Sequence, residues 1–460
     1  MSITQEKLEF VIKLQNKHAK NRLRGYVHRD IENRIVEEQT RNNFVVLLSG
    51  VRRSGKSTLL TYLRTKHFKS DYYINFDDDR LVGFDASDFD LLLNTFVKLY
   101  GESQYVFLDE VQNVNGWERF VNRLKEQGYK VFVTGSNSKL LSREFGTYLT
   151  GRYVVYKIYP FSFVEYIRYK EPEILGAIQE DENLLLAEKS PIIEKYFEEY
   201  LKYGGFPEFL RTKSVDFLKN LYESILYKDI IARYDIQSDF TLKQLANTAV
   251  SNIARPISYR SYKSFGIKSS TTVSQYFEYL TNTFLFFLLP KFAFSIRSQI
   301  LSKKKLYVID NALANYINFR PTQDYGRFLE NTVFLHLIRQ PNVDLFYYAD
   351  TKAGFGSFEC DFVQITRTLD DRYINLVQVT RELNTENIKR EILGIVGTYD
   401  FLYKAGYKIK DMLILTHNQF DEIHIDKLQT LIKQNVQVQL PTKAIKVMPA
   451  WYYFLRYLNV

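Results

Sequence analysis

The sequence has a single cysteine, Cys360, and no apolar run long enough to cross a membrane. One cysteine excludes a disulfide framework and any zinc or iron–sulfur site that needs several thiolates. The longest apolar stretches, such as residues 284–289, are far shorter than the roughly 20 residues of a membrane-spanning helix. Residues 1–17 lack the apolar centre of a signal peptide. We therefore expect a cytoplasmic protein with no membrane partner.

Acidic residues are scarce in one segment of a chain that is otherwise close to neutral. The net charge is +9, and residues 240–305 contain ten Lys or Arg side chains against one acid, Glu278. Almost all of the excess positive charge therefore lies in this basic segment. A local positive field of this size is typical of proteins that bind a polyanion, and DNA is the leading candidate partner. A solvated basic surface that binds nothing is the alternative.

Five short apolar runs near the N-terminus predict the strands of one parallel sheet. The runs are residues 44–50, 72–77, 105–110, 130–136 and 153–159. They are continuous rather than alternating, as expected for strands that are covered on both faces. Residues 160–235 are predicted to be helical, and residues 325–460 alternate helices and strands in a second α/β unit.

Residues 50–57 match the pattern G-x-x-x-x-G-K-[S/T] between the first predicted strand and a predicted helix. Such a P-loop wraps phosphates in main-chain N–H groups, and the helix N-terminus adds partial positive charge. Lys56 is predicted to reach the β- and γ-phosphates of ATP, and the Ser57 hydroxyl to bind Mg²⁺. The predicted nucleotide-binding residues are Gly50, Arg52, Arg53, Ser54, Gly55, Lys56, Ser57 and Thr58.

Two acids, Asp109 and Glu110, end the third predicted strand. An acid at this position of a P-loop ATPase holds Mg²⁺, a role that we assign to Asp109. Glu110 is predicted to polarise the attacking water as general base. The next strand ends in polar residues, of which Asn137 is the leading candidate to orient the water and Ser136 the second. An ordinary helix cap is their alternative role.

Arg152 precedes the last predicted strand and is a candidate arginine finger. An arginine at a domain edge can reach the γ-phosphate that a neighbouring subunit binds. This role requires a homo-oligomer, of which a closed ring is one form. A surface arginine without a catalytic role is the alternative.

The order of these motifs resembles that of AAA+-type ATPases of a large prokaryotic family. The resemblance rests on the P-loop, INFDDDRL (74–81), LDE (108–110), TGSNSKLL (134–141), LTGR (149–152) and PFSFVEY (160–166). GGFPEFL (204–210) is similar to the lid segment that follows the core in this family. The resemblance implies an ATPase core joined to a winged helix and a C-terminal nuclease-like domain. It covers nearly the whole chain and is most specific for residues 44–210.

The residues of the basic segment also predict a winged helix. Helices are expected at 241–255, 258–265 and 270–281, followed by strands at 284–292 and 305–309. A short helix, a turn and a second helix form a helix-turn-helix pattern. The predicted DNA contacts are Thr272 and Gln275 near the start of the third helix, and Lys303, Lys304 and Lys305 in the wing. A winged helix that docks onto protein is the alternative.

The C-terminal unit resembles PD-(D/E)XK nucleases, in which acids and an (E/Q)-x-K strand bind Mg²⁺ and place a lysine beside the scissile phosphate. The residues at the ligand positions, and so of a candidate second metal site, are Glu330, Asp361 and Gln378. The lysine position holds Thr380, which carries no charge. Lys389 or Arg390 of the next helix is a candidate replacement. We expect that this unit has lost cleavage activity.

These interpretations predict an α/β fold: a P-loop parallel-sheet AAA+ core with a helical lid, a winged helix and a second α/β nuclease-like domain. The predicted domains are an N-terminal helical arm (1–40), the ATPase core (41–165), the lid (166–238), the winged helix (239–320) and the nuclease-like domain (321–460). The predicted function is ATP hydrolysis, with ATP and Mg²⁺ as cofactors, by a protein that acts on DNA. The alternatives are an ATP-gated, Mg²⁺-dependent nuclease and a nucleotide switch that binds protein partners.

Overall fold

The first sheet consists of five parallel strands, as the apolar runs predict. A computed structural model describes residues 3–136, 151–180, 189–265, 267, 269–317, 324–352, 356–368, 371–424 and 443–456. The strands are β1 (Val45–Ser49), β2 (Tyr73–Asn75), β3 (Tyr105–Asp109), β4 (Lys130–Gly135) and β5 (Tyr153–Lys157). Their order in the sheet is β2-β3-β4-β1-β5. The C-terminal ends of β3, β4 and β1 are therefore neighbours, at the edge where such sheets bind ligands.

Helices cover both faces of this sheet. They are α1 (Gln5–Asn21), α2 (Glu32–Arg41), α3 (Lys56–Tyr62), α4 (Phe89–Tyr100) and α5 (Trp117–Glu126). Helices α1, α4 and α5 bury one face, which includes Leu47 and Leu108. Helices α2 and α3 bury the other, which includes Leu48 and Phe107. The predicted N-terminal arm is thus packed onto this parallel sheet.

The segment after the first sheet is helical, as predicted. It contains α6 (Phe163–Lys170), α7 (Glu173–Glu180), α8 (Ser190–Tyr203), α9 (Pro207–Thr212), α10 (Val215–Ser224), a π-helical turn (Ile225–Ile231) and α11 (Ala232–Tyr234). Ser162 and Glu165 form a capping box at the start of α6. Gly204 ends α8 with a φ of +61°, and a Cβ there would lie 2.1 Å from the Asp310 carboxylate. Only glycine fits this break.

The basic segment forms helices and a small antiparallel sheet. In order these are α12 (Asp239–Val250), β6 (Pro256–Ile257), a 3₁₀ helix (Tyr259–Phe265), α13 (Ser270–Asn282), β7 (Phe286–Leu289), α14 (Ile296–Leu301) and β8 (Lys304–Val308). The strand order is β6-β8-β7. Helix α12 ends five residues before the predicted limit because Ala254 adopts a positive φ of 59° and Pro256 enters a strand. The Ser269 side chain caps α13 by accepting from the Thr271 N–H.

The second α/β unit has a six-stranded mixed sheet. Its elements are α15 (Asn311–Ile317), α16 (Tyr325–Leu337), β9 (Val343–Lys352), β10 (Gly356–Arg367), β11 (Arg372–Val379), α17 (Ile388–Lys404), β12 (Ile409–Thr416), β13 (Asp421–Ile423), β14 (Ile445–Pro449) and α18 (Ala450–Arg456). The strand order is β13-β14-β12-β11-β10-β9. The structure therefore has the predicted α/β class, with two separate sheets of this kind.

One hydrophobic core continues from the lid through the basic segment into the second α/β unit. Phe197 of α8, Leu245 of α12, Leu306 of β8 and Phe362 of β10 all belong to it. The predicted lid, winged helix and nuclease-like domain are therefore packed against one another through buried side chains. Among the described helices, none has the length and apolar character needed to cross a membrane.

Candidate nucleotide site

The P-loop has the backbone that its glycines allow. A Cβ at Gly50 would lie 2.1 Å from the Ile158 carbonyl oxygen, so a side chain has no room where β1 ends. Arg53 and Gly55 adopt positive φ angles of 63° and 98°. This tight turn leads directly into α3, whose first residue is Lys56. The loop therefore has the shape that lets main-chain N–H groups surround a phosphate.

Lys56 is buried in the P-loop. Its Nζ donates to the carbonyl oxygens of Gly50 and Val51, each at 3.0 Å, and lies 4.0 Å from Glu110 Oε1. Burial lowers the pKa of Lys56, and the charges of Glu110 and Asp109 oppose this shift. The ammonium is thus held inside the loop by neutral carbonyl oxygens, which are weaker partners than phosphate.

Asp109 is fully buried at the end of β3 and accepts from three neighbouring elements. Its Oδ1 accepts from Ser57 Oγ at 2.9 Å and from Thr134 Oγ1 at 2.5 Å, and its Oδ2 accepts from the Tyr73 hydroxyl at 3.0 Å. Burial raises the pKa of Asp109, and the charge of Glu110 adds to this shift. Oxygen ligands from a hydroxyl and a carboxylate suit Mg²⁺, so the Ser57–Asp109 pair fits the predicted metal.

Glu110 follows Asp109 with left-handed backbone, at a φ of 51°. Its N–H donates to Thr134 Oγ1 at 2.9 Å, and its Oε2 accepts from Gln112 Nε2 at 2.6 Å. These two bonds fix the turn and orient the carboxylate beside Lys56. Strained backbone of this kind is frequent at functional sites.

Thr134 was not predicted, although it contacts both acids. The only indication of this role in the sequence was a polar residue within the apolar run of β4. Ser136, two residues further along the chain, is also buried. Asn137 lies outside the described residues, so its predicted role stays a prediction.

Arg152 lies on the surface, far from the P-loop of its own chain. Because β5 pairs with β1 in parallel and Tyr153 lies opposite Val45, Arg152 is at the edge of the sheet opposite the P-loop. Its guanidinium is about half exposed and forms an ion pair with Glu126 of α5. Any contact between Arg152 and a bound nucleotide would therefore involve a second subunit.

Two arginines of the N-terminal arm support the site and were not predicted. Arg29 is buried and donates to the carbonyl oxygens of Ser54 at 3.0 Å and Tyr159 at 2.6 Å. Its Nε also donates to Glu165 Oε1 at 2.9 Å. Arg22 Nη1 lies 3.6 Å from Asp109 Oδ2. No local pattern in the sequence signals these contacts, because their partners are distant along the chain.

Two P-loop arginines contact the lid. Arg52 binds both carboxylate oxygens of Asp229, with Nε–Oδ2 at 2.6 Å and Nη2–Oδ1 at 2.8 Å. Arg53 Nη1 donates to Glu208 Oε2 at 3.1 Å. In this structure the two predicted nucleotide-binding arginines are therefore paired with acids.

The predicted DNA contact of Lys305 is wrong, because this side chain is buried inside the protein. Lys305 Nζ lies 3.0 Å from Glu330 Oε1, 2.6 Å from Glu359 Oε1 and 2.8 Å from Asp361 Oδ1. Strand β8 brings the lysine from the basic segment into the nuclease-like unit. The carboxylates of Asp361, Glu330 and Glu359 raise the pKa of Lys305 in spite of its burial, which acts in the opposite direction. We call these four residues the Lys305 cluster.

Gln378, the third residue of the predicted second metal site, also has protein partners. Gln378 Nε2 donates to Glu391 Oε2 at 2.7 Å, and its Oε1 accepts from the Asp361 N–H at 3.2 Å. Arg390 pairs with Glu391 rather than replacing the missing lysine. In the part of the chain that the structure describes, no group of three or more His, Cys, Asp or Glu residues is arranged to hold a metal ion.

The remaining predicted DNA contacts are accessible to different degrees. Gln275 and Lys303 are exposed, whereas Thr272 and Lys304 are partly buried. Their binding to DNA stays a prediction.

Comparison with known proteins identifies relatives over almost the full chain. A family model described as an AAA domain matches residues 42–167, which include the P-loop and both acids. A model described as a domain of unknown function matches residues 194–324. An uncharacterized protein of Methanocaldococcus jannaschii is 32% identical over 446 residues, 94% of this chain and 91% of the relative. The chain belongs to the family of this archaeal protein.

The family includes more than the AAA domain. An uncharacterized protein of Haemophilus influenzae is 29% identical over 405 residues, 85% of this chain and 93% of the relative. Both alignments are far longer than the AAA domain, so the similarity extends well beyond the nucleotide site.

The solved structures that match this chain are less similar in sequence than these two relatives. A Walker-type ATPase of Pyrococcus abyssi is 17% identical, with a TM-score of 0.38, over 64% of this chain and 96% of that one. The Aeropyrum pernix ORC1 protein, solved in complex with DNA, is 14% identical, with a TM-score of 0.28, over 64% of this chain and 92% of that one. Similarity at this level carries no information about substrates or partners.

Proposed function

We propose that this protein binds Mg²⁺-ATP at the P-loop, hydrolyses it and acts on DNA through the basic segment. The observation that carries the ATPase proposal is the 2.9 Å contact between Ser57 Oγ and Asp109 Oδ1 beside the buried Lys56. These three side chains come from two segments that are distant in the sequence. Their convergence on one end of the sheet supports a site for a phosphate chain with a divalent cation.

Each residue has a distinct task in the proposed reaction. Lys56 neutralises the β- and γ-phosphates when they displace the carbonyl oxygens that now hold its ammonium. Ser57 and Asp109 would hold Mg²⁺, which supplies further charge neutralisation at the phosphates. Glu110, oriented by Gln112 and Thr134, accepts the proton of the attacking water.

Turnover of ATP by the purified full-length chain tests the proposal directly. We expect phosphate release that requires Mg²⁺, stops with excess EDTA and changes when DNA is added. Single-stranded, duplex and branched DNA should be compared in parallel. A chain that binds no ATP would contradict the proposal, and turnover that no DNA alters would favour the switch that binds protein partners.

The order of elements in the basic segment supports a winged helix. Helix α12, the 3₁₀ helix and α13 precede two antiparallel strands, and β6 adds a third strand to the same sheet. In a helix-turn-helix arrangement the last helix enters the major groove. Here that helix is α13, which presents Gln275 to solvent. With Lys305 buried, Lys303 and Lys304 remain as the proposed wing contacts to phosphate.

Changing Lys303 and Lys304 together to Glu is expected to weaken binding to all DNA sequences. Each lost phosphate contact should reduce the slope of log K against log salt by about 0.9, because fewer counterions are released. Fluorescence anisotropy at several salt concentrations measures both effects. The matched control changes Lys13 and Lys17, two exposed lysines of α1, to Glu and alters the net charge equally. Equal DNA affinity in the two double variants would support protein docking instead.

We propose further that the protein assembles into a homo-oligomer in which Arg152 reaches a neighbour's nucleotide. Arg152→Ala and Lys56→Ala proteins should each lose ATPase activity, and a mixture of them should regain part of it. Mixed interfaces can combine an intact P-loop with an intact arginine. Turnover by Arg152→Ala alone at the parent rate, at every protein concentration, would exclude this role.

We propose a structural role, rather than metal-dependent cleavage, for the Lys305 cluster. The Lys305 ammonium lies between the Glu330 and Asp361 carboxylates. The nuclease hypothesis predicts that these two carboxylates bind Mg²⁺ instead. Asp361 Oδ2 also accepts from the Val379 N–H at 2.9 Å. These contacts support a cluster that joins β8 to the second sheet.

A further inference from the structure

We propose that Arg52 and Asp229 couple the occupancy of the phosphate site to the position of the lid. In this inference, which rests on the proposed ATP binding, the γ-phosphate competes with Asp229 for the Arg52 guanidinium. Loss of that partner releases the π-helical turn of the lid, Ile225–Ile231, from the P-loop. ATP binding thus loosens the lid, whereas the Arg52–Asp229 pair keeps the lid attached to the P-loop when no nucleotide is bound.

The contact joins the P-loop to the lid through two charged side chains. Arg52 meets Asp229 with two parallel hydrogen bonds of 2.6 and 2.8 Å, a geometry that adds both energy and direction. The Asp229 side chain is only 5% exposed, whereas that of Arg52 is 27% exposed. The buried acid is therefore fixed in the lid, and the arginine is the partner with room to move.

The negative charge of Asp229 is expected to disfavour the binding of a nucleotide at the P-loop. Its carboxylate accepts both hydrogen bonds from Arg52, a residue of the P-loop itself, so the negative charge lies beside the loop that would hold the phosphates. A triphosphate bound at Lys56 would therefore repel Asp229. Arg52 is the residue that screens this repulsion, because it belongs to the loop and is paired with the acid.

Transfer of Arg52 to the phosphate has a defined consequence for the lid. An unpaired carboxylate is costly to keep buried, so Asp229 would have to reach water or a new partner. Asp229 lies in a π-helical turn, an irregular backbone that is frequent at functional sites. Movement of this turn would change the contact between the lid and the P-loop without disturbing β1 or β3.

The test compares nucleotide affinity and lid exchange in four proteins: wild type, Asp229→Asn, Arg52→Ala and the double variant. A fluorescent ATP analogue reports affinity. Amide hydrogen exchange of residues 225–231, with and without a non-hydrolysable ATP analogue, measures how readily this turn of the lid opens. Asparagine has the shape of aspartate, so Asp229→Asn removes the charge with little change in packing.

In the wild type we expect the ATP analogue to speed exchange in residues 225–231. Asp229→Asn should bind ATP about tenfold more tightly, within the usual range of coupling between two sites, and exchange quickly with or without nucleotide. Arg52→Ala should exchange quickly too but bind ATP more weakly. The double variant should also exchange quickly but bind ATP more tightly than Arg52→Ala, because it lacks the repelling carboxylate.

Glu208→Gln is the matched control, because Arg53 and Glu208 also join the loop to the lid but are more exposed, at 64% and 37%, than Arg52 and Asp229. A surface pair contributes little, so this variant should match the wild type in both measurements. Weaker ATP binding by Asp229→Asn, or slower lid exchange in the wild type on adding the analogue, would overturn the inference. In either case the wild type would still bind ATP, so the proposed function would stand. A wild type that binds no analogue would instead overturn both.

Discussion

Lys56→Ala is expected to abolish ATP turnover and to weaken ATP binding strongly. The alanine removes the ammonium that is buried in the P-loop turn and leaves the phosphate chain without this counter-charge. Loss of one preorganised charge partner of a reacting group lowers turnover by about 100- to 1000-fold. Equilibrium binding of a fluorescent ATP analogue and a phosphate-release assay measure the two effects. The matched control is Lys66→Ala, at an exposed lysine of the segment that follows α3.

Glu110→Gln should separate binding from hydrolysis at the same site. Glutamine preserves the size of the side chain but cannot accept the proton of the attacking water. We expect ATP affinity close to that of the wild type and a loss of turnover of about 100- to 10,000-fold. Glu37→Gln, on the exposed face of α2, serves as control. Turnover at the parent rate by Glu110→Gln would show that another group is the base.

Lys305→Met is expected to destabilise the protein by about 3–5 kcal/mol, the usual cost of removing one partner from a buried ion cluster. Methionine fills similar volume, so the loss comes mainly from the unpaired carboxylates of Glu330, Glu359 and Asp361. Lys303→Met is the control, because an exposed lysine two residues away should change stability by less than about 0.5 kcal/mol. Denaturant unfolding of the full-length chain measures both variants.

The penalty of Lys305→Met should grow as the pH rises. Burial raises the pKa of Glu330 to about 8, with a further contribution from Asp361, while Lys305 opposes the shift. Without the ammonium, Glu330 should stay protonated to still higher pH in the folded state. The folded variant then binds more protons than its unfolded form, so its stability falls with rising pH. The difference from the wild type should therefore be larger at pH 9 than at pH 6.

Two results would contradict the structural role of the Lys305 cluster. One is equal stability of Lys305→Met and the wild type at pH 9. The other is cleavage of branched or linear DNA by the wild type with Mn²⁺ that Lys305→Met abolishes while keeping its fold and ATPase activity. The second result would make Lys305 the charge that Thr380 lacks and would favour the ATP-gated nuclease.

The sequence predicted the features that depend on neighbouring residues. The five strands follow continuous apolar runs, since a strand buried on both faces excludes polar side chains along its length. The P-loop and the pair Asp109–Glu110 were found because their chemistry fixes residue types at short spacings. Helix α13 begins at the predicted residue, Ser270, where the side chain of the preceding Ser269 caps the helix locally.

Only the tertiary structure decided which distant side chains meet. Lys305 belongs to a lysine run that resembles a DNA-binding wing, yet the fold of β8 against the second sheet buries its ammonium among three carboxylates. Thr134, Arg29 and the Arg52–Asp229 pair were likewise not found. Their partners lie 24 or more residues away along the chain. Local patterns specify helices, strands and short motifs, whereas pairing between such distant residues depends on how the packed elements are arranged in space.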